Sequence, residues 1–531
     1  MAWNEDIARE RLRSLINSVP QAEIVVEDFL RYSQTRSATL SKAGMSRSDL
    51  GPLVHIPRNR AVTTHAVHVY ANLVGFNDQL MESGRETEAS HERSLQFLHA
   101  HYSACHELIA HFELQRVDFH GSRLHAVVLT PIGAEREAER IAKGIAFAAA
   151  FREMVARTSE RYGAQFQTGV RVGIDSGPAV AMDGGKRSEP DPVFIGSPAN
   201  HAAKLADGSE EGVYLSARVQ RIVTGSPTTL TGDGIPMAKS MEASFLDETV
   251  FAGVARPAAR RQLDEAFATF TGQMDLIKSV GSTADAVFRF HHREPPLKTI
   301  DFLEHPPSNT VRMPLASISA DLAGFTAYVD DAMAHGKVAE AVSNLHVMRG
   351  EMAAVLRDDF GGRKVRFVGD NIHGLLAEGD ARTIDTHKTI EEAVLAAGGI
   401  RSSFDLCRTL LPGVHALGIA IGLDFGPTPI CRIGMRGDAS VRCASSRATC
   451  CAEAEQQDCS GVETAIGEAA FAAAPAAVRQ AFGRTRRIQN LSYFNATMLI
   501  GTMPSPYVGR QAQAPIRAHQ PAPPMRAHSR P

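Results

Sequence analysis

A chain of 531 residues is too long for one ordinary hydrophobic core, so two domains with connecting elements are expected. Its 44% hydrophobic and 22% charged residues are globular values, and a formal net charge of -3 leaves no electrostatic footprint for nucleic acid or an anionic membrane. Partners therefore have to be argued from sites.

In chain order, residues 1–60 read as an N-terminal helical element, with Ile7, Leu12, Leu15 and Ile16 near helical spacing. The opening MAWNEDIARERLRSLINSV is amphipathic and has no apolar signal core. No apolar run approaches the roughly 18 residues of a membrane helix. A cytoplasmic location and no membrane partner are expected. Residues 61–225 and 311–502 read as two α+β domains. Residues 226–310 form a helical linker, within which Pro257 to Phe290 is a connecting helical region with the proline suited to a helix start. Residues 503–531, rich in Pro, Ala, Gln, Arg and His, read as a disordered tail. Seven cysteines, an odd number, argue for reduced thiols. Cys443, Cys450, Cys451 and Cys459 cluster, but without the paired spacing or nearby histidines of a zinc knuckle.

The two domains are an internal repeat. HAVHVYANLVGFNDQL (65–80) matches PLASISADLAGFTAYV (314–329), and LQRVDFHGSRLHAVV (114–128) matches RKVRFVGDNIHGLL (363–376). VRVGIDSGPAV (170–180) matches IAIGLDFGPTP (419–429), and SPANHAAKLA (197–206) matches SRATCCAEAE (446–455). The four offsets are 249, 248, 249 and 249 residues, in the same order, which points to gene duplication. Each half runs strand, GF turn, helix, strand pair, helix, GID or GLD strand, helix, which makes helices packed on a mostly antiparallel sheet.

In the second half Asp321 ends the strand SISAD and Asp370 sits in the turn of VRFVGDNIHGLL. Carboxylates at adjacent strand ends suit two Mg²⁺ or Mn²⁺ ions, which neutralise a triphosphate and lower the pKa of an attacking hydroxyl.

These blocks resemble the class III nucleotidyl cyclases, the adenylyl and guanylyl cyclase family. The resemblance covers most of residues 62–220 and 312–465. It implies an α+β fold in which the two domains pack as a pseudo-twofold heterodimer within one chain, with metal aspartates from one and an Asn/Arg pair from the other. The halves have kept complementary parts: Asn72 and Ser122 stand where the second half has Asp321 and Asp370, while Asn200 and Lys204 stand where the second half has Thr449 and Glu453. One productive and one degenerate site follow. The resemblance further implies that Asp321, Asp370 and the Leu322 carbonyl hold two divalent cations, Mn²⁺ or Mg²⁺. Phe325 and Thr326 contact substrate, Asn200 orients the ribose and Lys204 stabilises charge at the α-phosphate. Lys204 departs from the usual Arg, offering a point charge without a planar fork.

For the base, the family positions fall on Asp118 and Val193, three residues before Gly121 and seven before Asn200. This is not the Lys/Asp pair that reads adenine. A carboxylate accepts from a base presenting N–H, as guanine and uracil do, whereas cytosine offers only its amino group. With FHGSRLHAVV in this place, the chain resembles the pyrimidine cyclases of Pycsar antiphage systems. That implies conversion of UTP to cUMP as a second messenger of antiphage defence, with the product read by a separate effector. A cyclase making cGMP or cAMP, or a non-catalytic nucleotide-binding regulator, are the alternatives. The intramolecular domain pair also leaves room for a homodimer of chains.

Overall fold

The computed structural model describes residues 2–42, 51–53, 56–184, 192–224, 236–247, 250–251, 254–255, 259–279, 287–435, 437–501 and 516–517. Helix α1 (Glu5–Ser18) starts at Asn4, whose side chain accepts hydrogen bonds from the backbone N–H groups of Asp6 and Ile7. Its buried stripe, Ala8 and Leu12, joins the core of the second repeat rather than the first. Arg11 clamps it there, bonding Glu351 at 2.7 Å and Asp359 at 3.0 Å. Strand β1 (Val25–Asp28) and α2 (Phe29–Lys42) then lead into the first repeat.

The first repeat runs β2 (Arg60–Val74), α3 (Phe76–Gln79), α4 (Glu88–His111), β3 (Gln115–His120), β4 (Arg123–Val128) and α5 (Glu137–Tyr162). It continues with β5 (Gly169–Asp183), β6 (Pro192–Ile195), α6 (Ser197–Ala206), β7 (Gly212–Leu215) and α7 (Ala217–Thr224). Its sheet has the order β3-β4-β2-β5-β6, with β1 beside β2 and β7 beside β5. The pairings along this path are antiparallel, and only β1 and β7 pair parallel.

The stretch read as a linker is divided between the repeats: residues 239–247 and 259–279 pack on the first, while residues 290–291 pair with the second repeat's sheet and Leu297, Ile300 and Phe302 pack in its core. It contains α8 (Lys239–Asp247), the hairpin β8 (Val250–Phe251) and β9 (Val254–Ala255), α9 (Ala259–Ser279) and β10 (Phe290–His291). Leu263, Ala266, Phe270 and Met274 of α9 recur every three or four residues on one face, and all four are buried in the first repeat's core. The proline read as the helix start, Pro257, lies outside the described residues.

The second repeat runs β11 (Thr310–Ala323), α10 (Phe325–Ala334), α11 (Val338–Ala354), β12 (Arg363–Val368), β13 (Asn371–Leu376), β14 (Thr383–Ile384) and α12 (Thr386–Leu410). It continues with β15 (Gly418–Ile433), β16 (Val441–Ala444), α13 (Arg447–Gln457), β17 (Glu463–Ile466), α14 (Glu468–Ala473), α15 (Ala476–Phe482), β18 (Arg487–Gln489) and α16 (Tyr493–Gly501). Its sheet order, β12-β13-β11-β15-β17-β18, repeats the first over four strands, with β16 antiparallel and β17 parallel to β15 as β6 and β7 are to β5, β18 added at the edge, and β10 parallel to β11 as β1 is to β2. Most of the region read as a tail lies outside the described residues. Within it, β19 (Ile516–Arg517) pairs β14.

Two repeated glycines set the geometry of the site. Gly173 in β5 and Gly422 in β15 let a helix lie directly on the sheet. A Cβ at either would come 2.1 Å from a helix carbonyl, that of Ala202 in α6 or Ala452 in α13.

Candidate functional site

Helix α6 of the first half meets α10 of the second. The backbone N–H of Ser197 donates to Asp330 Oδ1 at 3.1 Å, and the Asn200 amide donates to the Thr326 hydroxyl. Asn200 and Lys204 are one helical turn apart on α6, so both project from the same face. Both are exposed, and both line a cavity of about 740 Å³ that Asp321, Leu322, Phe325, Thr326 and Asp370 of the second half also line. The cavity thus brings together the two sets of groups that the sequence assigns to different halves.

Asp321 lies near the end of β11. It is followed by Gly324, whose left-handed backbone (φ +87°) turns the chain into α10. Asp370 occupies the tight turn between β12 and β13, after Gly369 at φ +59°. β13 pairs directly with β11, so the turn comes alongside the strand end. Burial raises the Asp321 carboxyl to about 6, with the Glu453 charge adding to the effect. Burial, then the facing Asp321 charge, push Asp370 well above the usual carboxylate range. Two neighbouring acids that cost free energy when ionised make a place where positive charge is favoured.

Two carboxylates and a backbone carbonyl are too few to enclose a divalent ion. They match the way such ions are held when substrate phosphates and water complete the shell. The donor set therefore fits a metal that arrives with, or is completed by, a triphosphate. Among the described residues no group of three or more His, Cys, Asp or Glu side chains could hold a metal ion. Cys443 is buried and Cys450, Cys451 and Cys459 are half-buried, all as free thiols.

The pseudo-symmetric end of the cavity is closed by ion pairs. Arg123, next to Ser122, bonds Glu453 on α13 and Asp207 just beyond α6, the latter at 3.0 Å. Burial works to raise the Glu453 carboxyl, but Arg123 outweighs it and holds the carboxyl below its ordinary value. Where the end at Asp321 and Asp370 gathers carboxylates, this end has a fixed guanidinium at the equivalent turn.

Asp118 and Val193 are not among the residues lining the cavity. Val193 is buried in β6 at 3% exposure. Both Asp118 oxygens are engaged: Oδ1 accepts from Arg366 Nη1 at 2.6 Å, and Oδ2 lies 2.9 Å from His120 Nδ1. Burial alone would raise this carboxyl, but Arg366 and His120 together hold it well below the usual range. Arg366, which sequence reading passed over, does line the cavity at 4% exposure. It stands three residues before Gly369, as Asp118 stands three before Gly121, so the repeat itself carried the signal.

Residues 63–241 match the adenylate and guanylate cyclase catalytic domain. The chain is 45% identical over 489 residues to a uridylate cyclase of a Rhizobium species, covering 91% of this chain and 92% of that protein. It is 34% identical over 504 residues to a uridylate cyclase of Pseudomonas aeruginosa, covering 93% of this chain and 91% of that one. Among solved structures, a class III adenylyl cyclase-like ATP-binding protein from Pseudomonas aeruginosa superposes with a TM-score of 0.77 at 32% identity, covering 94% of this chain and 100% of that chain.

Proposed function

We propose, from the premise that this chain belongs to the class III nucleotidyl cyclase family, that it converts UTP to 3′,5′-cyclic UMP and pyrophosphate in one site shared by its two halves. The observation that carries the reading is the division of labour across the cavity. Asp321 and Asp370 reach the shared cavity from one half, Asn200 and Lys204 from the other, and each half lacks what its partner supplies. Uracil is favoured because the two relatives spanning nine-tenths of the chain are both named uridylate cyclases.

Asp321 and Asp370, with the Leu322 carbonyl, would hold two divalent cations, Mn²⁺ or Mg²⁺. Such ions supply charge neutralisation of the phosphates and a lowered pKa for the ribose 3′-hydroxyl. The protein's own contribution is position and preorganised charge. Asn200, held against Thr326, orients the ribose so that its 3′-oxygen faces the α-phosphorus. Lys204, one turn along α6, faces the oxygens that gain charge as pyrophosphate departs. Phe325 and Thr326 open α10 beneath the substrate. The start of this helix leaves backbone N–H groups and the positive end of its dipole toward the phosphates. The product is a small diffusible messenger, and its use in antiphage defence through a separate effector is part of the proposal. No described helix is long and apolar enough to cross a membrane.

The assignment of halves is tested by four single variants assayed with Mn²⁺ and UTP. Asp321→Ala and Asp370→Ala should abolish cyclic product while the proteins remain folded, and Asn72→Ala and Ser122→Ala should be tolerated. Activity lost in the second pair and kept in the first would reverse the assignment.

A further inference from the structure

We propose that Asp330 is a positioning residue for the cyclisation: from the second half it caps the helix of the first half that carries Asn200 and Lys204, and so holds those two groups in register with Asp321 and Asp370. The inference rests on the nucleotide reading above and adds to it a residue outside the cavity on which the geometry of the site depends.

Helix α6 begins without a side-chain cap of its own. Its N-cap position is Gly196, at φ +131°, which has no side chain to offer the N–H groups of the first turn. That backbone disfavours the Ser, Thr, Asp or Asn that usually caps a helix. A Cβ there would also come 3.2 Å from the Pro178 carbonyl and 3.3 Å from Met333 of α10. The missing acceptor comes from the other half, where Asp330 Oδ1 accepts from the backbone N–H of Ser197 at 3.1 Å. A carboxylate in this place meets both an orphan donor and the positive end of the helix dipole.

A second hydrogen bond joins the same two helices, from the Asn200 amide to the Thr326 hydroxyl. The contacts fall at 197 and 200 on α6 and at 330 and 326 on α10, so the helices run in opposite senses and each uses one face. One bond fixes a point, and two fix a direction. At the helical rise, Ser197 lies about 4.5 Å along the axis before Asn200, and Lys204 lies about 6 Å beyond it. Without the bond to Asp330 the halves can pivot about the Asn200 contact, and a shift at Ser197 is enlarged at Lys204.

The pivot belongs to the halves rather than to a loose helix. α6 lies tight on its own sheet, where a Cβ at Gly173 would come 2.1 Å from the Ala202 carbonyl and one at Gly177 would come 2.9 Å from the Pro198 ring. α10 in turn follows directly on β11, the strand that carries Asp321. The bridged helices are therefore rigid extensions of the two sets of groups that have to meet. Asp330 is not among the residues lining the cavity, so it acts through α6 and not on substrate.

The same construction recurs at the pseudo-symmetric helix. Glu86 Oε1 of the first half accepts from the Arg447 N–H at the start of α13, at 2.7 Å, and lies 3.0 Å from His91 Nε2. There Ser446 also caps its own helix, accepting from the Thr449 N–H at 3.2 Å. Helix α13, with Thr449 and Glu453, thus has a local cap as well as one from the opposite half. Helix α6, with Asn200 and Lys204, takes its carboxylate from the opposite half alone.

The test is steady-state kinetics of the full-length wild type, Asp330→Ala, Asp330→Asn, Lys204→Ala and the Asp330→Ala/Lys204→Ala double variant, with Mn²⁺ and whichever triphosphate the wild type cyclises, together with backbone hydrogen exchange over residues 196–206. Asp330→Ala should lower kcat by roughly ten- to a hundredfold, the cost of displacing a catalytic group by about an ångström, with KM changed less than about threefold. Asp330→Asn keeps an acceptor for the Ser197 N–H and should retain most of the rate. Adding Asp330→Ala to Lys204→Ala should cost no more than about threefold, since the group that the cap aims is already gone. A simple loss of folded protein would instead cut both backgrounds by the same factor. Exchange at the start of α6 should quicken in Asp330→Ala. An unchanged kcat in Asp330→Ala, or an equal loss in the Lys204→Ala background, would overturn the proposal. Should Asp330→Ala fail to fold, Asp330→Leu, of similar shape and without an acceptor, is read by the same criteria. A wild type that makes no cyclic product would sink the function reading instead, and unchanged exchange at the start of α6 would then overturn the cap.

Discussion

Asp321→Asn is the perturbation in which catalysis and stability should move in opposite directions. The folded carboxyl is raised from 3.8 to about 6, first by burial and then by the Glu453 charge. Above pH 6 the native chain therefore carries an ionised group that the unfolded chain tolerates better. A shift of about two units corresponds to roughly 3 kcal/mol at 1.36 kcal/mol per unit. The side chain is only half-buried, so screening reduces this to about 1–2 kcal/mol. Asparagine removes the charge at nearly constant shape. In EDTA at pH 7.5 the variant should melt about 2 °C or more above the wild type, at a few degrees per kcal/mol for domains of this size. The sign follows from the direction of the shift: a raised carboxyl costs stability fully above its folded value, and the cost disappears as pH falls below its unfolded value. The gain should therefore shrink between pH 6 and pH 4. Activity should fall by roughly a hundredfold or more, since carboxylate-held ions contribute several kcal/mol at tenfold per 1.36 kcal/mol. Scanning calorimetry at pH 7.5 and 4, with a cyclic-product assay in Mn²⁺, measures both. A variant that is less stable without metal at pH 7.5 and still turns over would refute the reasoning.

Lys204→Ala should reduce the rate of product formation by roughly a hundredfold or more, as for loss of a single charge-stabilising donor, while Lys204→Arg should retain most of it; steady-state kinetics with UTP decides. Arg11→Ala should destabilise the protein by about 2–4 kcal/mol, because it leaves Glu351, at 1% side-chain exposure, and Asp359 without their cation; chemical denaturation reads this directly.

The repeat made the fold legible. Blocks separated by a constant offset identify paired structural positions without any knowledge of what they do, and the two sheets share the order of their first four strands. The strand ends holding Asp321 and Asp370 were legible for the same reason, as was the helical spacing of Asn200 and Lys204. Contacts far apart in sequence were not. Helix α1 shows amphipathic spacing, but nothing in residues 1–18 says that Leu12 belongs to the second half's core, or that Arg11 pairs with Glu351, 340 residues away. The apolar stripe of α9 is equally silent about which core receives it. The occupied state of Asp118 could not be read from β3 alone, since a strand residue facing an interface takes its role from what the other strand presents. Comparing position 118 with position 366 across the repeat would have shown opposite charges at equivalent places, hence a bridge near the pseudo-twofold axis.

Whether this cavity closes a uridine triphosphate on itself is decided by incubating the purified chain with Mn²⁺ and each of the four ribonucleoside triphosphates separately and identifying the products by mass. 3′,5′-Cyclic UMP with an equal amount of pyrophosphate should be the dominant outcome. Mainly cyclic GMP or cyclic AMP would contradict the base assignment, and no cyclic product from any of the four would contradict the claim itself.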